Sequence, residues 1–393
     1  MPRLMTMDDI LLDGKTVLVR VDFNVSVGAD GVVDAFEDYR IQAALPTLEE
    51  LLQRRCKVIL LTHLGRPDEG NSEFDLEPVR RRLSDLLHDE VRLLKRLYGA
   101  EVTAAISAME AGTAILLPNV RWDEREEAGS EKLAQELANL AEVYINEAFS
   151  VAHRAHTSVA LVPRLLPAAA GRRLVEEYTV LTELSARPAK PYVAIVSGAK
   201  VKTKIRLLEK LLAEVDHLCL GGVLANAFLV ALRKCSAEQC AAEDLAAAEE
   251  LWEKYSDKIE LPEDVVVGPQ SGAVGAVTVL SNKIPADVGG VWDVGPYTVK
   301  RYLDLCQSAG TILWNGPLGK VEEEAYRSGT SGLAIGLAAL PGFRVVGGGD
   351  TVNILERLKL VKRFDHVSVG GGAMVALLED STLPGLTPLY AQD

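Results

Sequence analysis

The stretch FRVVGGGDT, Phe343–Thr351, decides the fold. A short apolar run ends in three glycines, and the residues from Thr351 to Leu360 follow a helical period. Continuous apolar runs of this length suit strands buried on both faces, as in a parallel sheet. The pattern recurs along the chain. In the first half the runs are Thr16–Val21, Lys57–Thr62, Ala114–Leu117 and Val143–Asn146. In the second they are Tyr192–Val196, His217–Leu220, Asp264–Val267, Thr311–Trp314, Phe343–Val346 and His366–Val369. Amphipathic stretches lie between them: Ile41–Arg55, Ser130–Ala141, Ile205–Ala213, Ala241–Tyr255, Val299–Ser308 and Thr351–Leu360. Strand, helix, strand, repeated through both halves, reads as two parallel α/β sheets.

A chain of 393 residues exceeds one ordinary core at ~150 residues per domain. The break is expected around Val162–Pro191, where four prolines flank the charged helical stretch Arg172–Ala186. This gives a first domain over 1–170, an interdomain helix and linker over 171–190, and a second domain over 191–382.

The net charge is −14, divided as 23 basic against 31 acidic groups in 1–190 and 19 against 25 in 191–393. Such a chain repels nucleic acid and anionic membranes as a whole, so an anionic ligand must be met by local positive charge. The five cysteines are scattered and form no Cys-x-x-Cys pair, which argues against a disulfide framework or a structural zinc site. Met1–Leu12 lacks the apolar core of a signal peptide, and no uncharged apolar run nears the ~20 residues of a membrane helix. The expected compartment is the cytoplasm.

Neither a P-loop nor the dinucleotide glycine fingerprint is present. Glycines instead close several strands of the second half: Gly221-Gly222, Asn315-Gly316-Pro317, Gly347–Gly349 and Gly370–Gly372. In a parallel sheet these ends fall along one edge, where ligands bind and helix N-termini face phosphate oxygens. Asp350 either caps its helix or, as a carboxylate beside phosphates, holds Mg²⁺. SGAKVKTK, Ser197–Lys204, follows another strand, and Lys200 and Lys204 are spaced to share one helix face and to suit a polyphosphate. In the first half, Asp22 and Asn24 end the first strand and Arg40 opens a helix. His63 and Arg66, then Arg121, then His153, Arg154 and His156 follow the later strands. Four arginines converging on one edge can neutralise a phosphate and a carboxylate. The histidines lack a third ligand in register for zinc.

Together the segments VLVRVDFNV, FEDYRIQAALPTL, THLGRP, AHRAH, SGAKVKTKI, ILWNGPLG, VVGGGDT and VSVGGGA resemble the phosphoglycerate kinase family over essentially the whole chain. The resemblance implies a monomeric glycolytic phosphotransferase that interconverts 1,3-bisphosphoglycerate and MgADP with 3-phosphoglycerate and MgATP. It also implies an α/β fold of two doubly wound parallel-sheet domains joined by a helix, a tail, 383–393, that returns to the first domain, and closure about a hinge that gates the reaction. Asp22, Phe23, Asn24, Arg40, His63, Leu64, Gly65, Arg66, Arg121 and Arg154 stand where the family contacts its phosphoglycerate. Gly198, Ala199, Lys200, Lys204, Gly222, Asn315, Pro317, Glu322, Gly348, Gly349, Asp350 and Thr351 stand where it contacts nucleotide, with Asp350 nearest the metal. Arg40, Lys204 and Gly349 take the catalytic positions. Ser26, Glu147, Ser150-Val151, Ser197, Thr203 and Val369 depart from the commonest family pattern. A non-catalytic phosphate-binding paralogue and a same-fold kinase of another small carboxylate remain as alternatives.

Overall fold

The computed structural model describes residues 2–34, 38–65, 75–198, 201, 204–232, 240–270, 275–285, 289–380 and 382–391. Arg66, Ala199, Lys200 and Thr203 therefore lie outside the described residues. The chain divides into two compact units, one of residues 1–182 with 372–393 and the other of residues 183–371. The helix Arg172–Ala186, expected as the connector, spans the division. The returning segment begins at Gly372, ahead of the expected 383, because the helix Gly372–Asp380 belongs with the first unit.

The first unit holds β1 (Thr16–Arg20), β2 (Lys57–Leu61), β3 (Arg92–Leu93), β4 (Ala114–Leu116), β5 (Val143–Asn146) and β6 (Ala168–Ala170). They form one parallel sheet in the order β3-β4-β2-β1-β5-β6. The uninterrupted apolar runs have a direct cause. Val17, Val19, Val58, Leu60, Val143 and Ile145 enter one core cluster, while Leu18, Ile59, Leu61 and Tyr144 enter another. Successive side chains point to opposite faces, so a strand covered on both sides must be apolar at every position. The tail closes this unit: Met5 N–H donates to the Leu389 carbonyl at 2.8 Å and Ala391 N–H to that of Arg3 at 2.8 Å.

The second unit opens with β7 (Tyr192–Ser197), β8 (His217–Gly221) and β9 (Ile259–Glu260). A separate antiparallel sheet follows, with β10 (Asp264–Val267) between β11 (Val277–Leu280) and β12 (Val291–Val294). The chain then returns through β13 (Thr311–Asn315), β14 (Phe343–Gly347) and β15 (His366–Ser368), giving a parallel sheet of order β15-β14-β13-β7-β8-β9. Asp264–Val267 is thus a strand, as expected, but not of the parallel sheet. Antiparallel neighbours need only short connections, whereas a parallel partner needs a full crossover. Its first residue also serves elsewhere, since the buried Asp264 carboxylate accepts from Tyr297 N–H at 3.1 Å and Thr298 N–H at 2.8 Å and caps the helix Pro296–Cys306.

Candidate active site

In both parallel sheets the chain reverses its direction of winding beside the first strand: between β1 and β5, and between β7 and β13. Such switch points open a crevice at the carboxyl ends of the strands. Among the described residues, some of those singled out in the sequence lie at each edge.

At the first edge Asp22 follows β1 and is buried. It pairs with Arg40, from the first turn of the helix Tyr39–Gln53, and accepts a hydrogen bond from Ser150 Oγ at 2.5 Å. Burial alone would raise the Asp22 pKa, but the Arg40 charge and the Ser150 hydroxyl hold it at about 2. Ser150, one of the departures from the family pattern, therefore supports the Asp22 carboxylate. Phe23 N–H donates to Thr62 Oγ1 at 2.9 Å, and Gly65 N–H to Asn24 Oδ1 at 2.8 Å, which lace the ends of β1 and β2 together. Beside them, Asn119 Nδ2 donates to the Leu64 carbonyl at 2.7 Å and Arg121 to that of Gly65 at 2.8 Å. The Arg121 side chain is buried, and its Nε lies 3.1 Å from Glu127.

The charge here belongs to the arginines. Burial, with Arg20 and Arg121 adding repulsion, drives His63 well below the usual histidine range; His153 is lowered as well, and His156 falls to about 4. All three are neutral near pH 7. Arg154 is close enough to Arg121 and His156 to depress both, which places it in the same cationic group. Two participants were not singled out in the sequence. Arg20 is buried at the end of β1, and Asn119 holds the loop that carries Leu64. The signal for Arg20 was an arginine inside an otherwise apolar strand, a position where a charge survives only with partners.

The second edge is built from backbone. Asn315 ends β13 opposite Val196 of β7, and Lys204 Nζ donates to Asn315 Oδ1 at 2.9 Å. The lysine stem lies over Gly198, where an added Cβ would come within 2.6 Å of Lys204 Cε. Lys204 is the residue before the helix Ile205–Glu214, not a member of it. Lys204 therefore lies on no face of that helix, and the other member of the expected pair, Lys200, lies outside the described residues. Gly222 opens the helix Gly222–Ala231 at φ 60°, where a Cβ would fall 2.5 Å from Ser197 Oγ. The Gly316–Leu318 turn is fixed by Trp314 Nε1, which donates to the Gly316 carbonyl, and by Gly222 N–H, which donates to that of Leu318.

Gly348 precedes the helix Gly349–Arg357 with φ 105°, a conformation that favours glycine. It occupies the cap position, so Asp350 does not cap this helix; its carboxylate lies in the first turn, where it complements the dipole. Asp350 is held above the ordinary carboxylate pKa by its surroundings and further by the Glu322 carboxylate. An added Cβ on Gly349 would meet nothing within 4 Å, so its backbone is open to an approaching ligand. Thr351 Oγ1, next to Gly348, is buried without a hydrogen-bond partner among the described residues. Pro317 is half-buried in the turn and Glu322 is exposed.

The two edges offer a cationic side-chain site in one unit and a glycine-lined helix-start site in the other, both suited to anionic ligands. A family model described as phosphoglycerate kinase matches residues 7–381. The phosphoglycerate kinase of Moorella thermoacetica is 41% identical over 390 residues, covering 98% of each chain. That of Coprothermobacter proteolyticus is 38% identical over 395 residues, covering 99% of this chain and all of the relative. Among solved structures, the phosphoglycerate kinase of Coxiella burnetii superposes with a TM-score of 0.82 at 38% identity, over 98% of this chain and 99% of that one. That of Pyrococcus horikoshii gives 0.89 at 26%, over 98% of each. The chain belongs to the phosphoglycerate kinase family.

Proposed function

We propose that this chain is a glycolytic phosphoglycerate kinase that moves the acyl phosphate of 1,3-bisphosphoglycerate to ADP, and back. The P–O bond to the acyl oxygen breaks, the electron pair stays on the carboxylate of 3-phosphoglycerate, and a β-phosphate oxygen of ADP forms the new bond. The leaving group is already a stable anion, so no proton need move. The requirement is alignment and charge neutralisation between two anions.

The contrast between the two switch-point edges carries this reading. The first presents Arg40, Arg121 and Arg154, braced by Asp22 and Asn24, and suits a small molecule bearing a phosphate and a carboxylate. The second presents Gly198, Gly222, Gly348 and Gly349 beside helix starts, with Lys204 and Asn315, and suits a nucleotide's phosphates. Thr351 Oγ1, buried and unpartnered, is a natural donor to such a phosphate. Arg66, Ala199 and Lys200 extend the two sites by the family resemblance alone. Arg40 and Lys204 are assigned to the oxygens of the migrating group, with the Gly349 N–H sharing that charge.

A divalent cation fits at Asp350. Burial, with the Glu322 carboxylate adding negative charge, holds Asp350 above its ordinary pKa, and among the described residues no cation pairs with it. No cluster of three metal-ligating side chains occurs among the described residues, so Mg²⁺ would arrive with the nucleotide and take Asp350 as its protein ligand. When bound, it neutralises phosphate charge.

No helix among the described residues is long and apolar enough to cross a membrane. Buried free thiols at Cys56, Cys219 and Cys306 support a reducing, cytoplasmic setting. The test is a coupled assay with ATP, 3-phosphoglycerate and Mg²⁺, run beside other small carboxylic acids. Turnover with 3-phosphoglycerate above the others is expected; preference for another acid, or nucleotide binding without turnover, would overturn the proposal.

A further inference from the structure

We propose that Glu126, Ser158 and Arg20 form a buried relay that holds His63 in the Nε2–H tautomer, so that this histidine meets the phosphoglycerate anion as a hydrogen-bond donor. The inference deepens the site described above and rests on His63 belonging to the phosphoglycerate edge.

The four groups come from distant parts of the chain and are sealed from water: Glu126 and Ser158 are 0% exposed, Arg20 1% and His63 3%. Ser158 is pinned first. Its N–H donates to Glu126 Oε2 at 2.8 Å, its carbonyl accepts from Tyr144 Oη at 2.8 Å, and its hydroxyl lies 2.6 Å from Glu126 Oε1. That hydroxyl oxygen accepts from Arg20 Nε at 2.9 Å. A second guanidinium nitrogen donates to the Val21 carbonyl, and the third, NH2, lies 3.2 Å from His63 Nδ1.

The direction of the last contact follows from the guanidinium's chemistry. Arginine has donors only and keeps its charge in a protein, so His63 Nδ1 must be the acceptor. A neutral imidazole with a lone pair on Nδ1 carries its proton on Nε2. His63 stays neutral at pH 7, because burial and the charges of Arg20, Arg121 and Arg40 outweigh the Asp22 carboxylate, which favours protonation. In the opposite tautomer Nε2 would turn a lone pair toward an anion. Glu126 gives the arrangement its second purpose. A buried guanidinium needs a countercharge, and this carboxylate supplies one through a single hydroxyl, which leaves Arg20 NH2 free for the histidine. Glu126, Ser158 and Arg20 are thus positioning residues, acting on substrate through His63.

The test is ¹⁵N NMR of histidine-labelled full-length protein near neutral pH, with the His63 signals assigned by their loss in His63→Gln. Wild type is expected to show His63 as the Nε2–H tautomer. An Nδ1–H tautomer in wild type overturns the relay at once, whatever any variant does. Ser158→Ala is expected to give a mixture of tautomers and to raise KM for 3-phosphoglycerate about tenfold, the scale of one hydrogen bond to a charged group, with kcat within about twofold. Ser158→Thr, which keeps the hydroxyl, is expected to restore both. A pure Nε2–H signal in folded Ser158→Ala would also overturn the relay. A tautomer that shifts while KM does not would instead remove His63 from the phosphoglycerate site, overturning the assignment on which the inference rests.

Discussion

The two switch-point edges meet anions in opposite ways. At the end of β1, recognition is assigned to side chains taken out of water and held by one another: Asp22 with Arg40 and Ser150, Arg121 against the Gly65 carbonyl, His63 against Arg20. At the end of β7 it is assigned mainly to backbone, with glycines at positive φ at 222, 316 and 348, an open Gly349 and one lysine anchored on Asn315. The difference matches the ligands proposed for each. A small phosphorylated acid offers a few charges that must be told apart, which suits bidentate arginines set at fixed angles. A polyphosphate offers a row of equivalent oxygens, which suits repeated N–H groups and room to approach. Damage to the first edge should therefore act through charge, and damage to the second through shape.

The largest effects are expected where the two designs share a cation. Arg40→Ala and Lys204→Ala should each lower kcat about 10²–10³-fold in a protein that stays folded, because each removes a charge that acts on the migrating group. Steady-state kinetics with both substrates saturating reads this, and near-normal turnover in either would refute the assignment. Arg121→Ala should follow, with KM for 3-phosphoglycerate raised roughly 10–100-fold, kcat little changed and KM for nucleotide untouched. Gly349→Ala should weaken ADP about tenfold at unchanged melting temperature, since its Cβ meets no protein atom within 4 Å. A loss of melting temperature there would show a structural role for that glycine.

A separate effect, on stability and not on activity, concerns pH. Glu147 is buried, accepts from Thr47 Oγ1 at 2.8 Å and Arg173 N–H at 3.0 Å, and is nonetheless pushed by burial to about 8. Between its ordinary 4.5 and 8 the folded form holds a proton that the unfolded form has lost. Its contribution is therefore fully present below 4.5 and lost as pH rises through 8. Glu147→Gln should flatten the fall of stability across that window, measured by denaturant unfolding at a series of pH values. An unchanged slope would show that Glu147 is ionised in the folded protein.

Much of the fold was legible because its central strands carry unbroken apolar runs, as Val17–Val19 of β1 and Val58–Leu61 of β2 show by feeding both cores. The elements that went unread lack a pattern. β3 has two residues and β6 is three alanines. The helix Gly222–Ala231, GVLANAFLVA, has buried residues on nearly every side, so it carries no amphipathic period. The candidate site was legible where a charge follows an apolar run, as at Asp22 and Arg121, or opens a helix, as at Arg40. Its supports were not. Ser150 reaches Asp22 across 128 positions and Ser158 reaches Arg20 across 138, and neither contact has a local signature. Arg20 was hidden by its surroundings, since a charge inside a strand reads as an interruption until its partners are known.

The central claim is that the two edges divide the substrates between them, and paired calorimetric titrations test it most directly. Wild type, Arg121→Ala and Gly349→Ala would each be titrated with 3-phosphoglycerate and with MgADP. Arg121→Ala should weaken only the phosphoglycerate and Gly349→Ala only the nucleotide. If either substitution weakened the other edge's ligand as much as its own, or if both ligands bound unchanged, the division would be wrong.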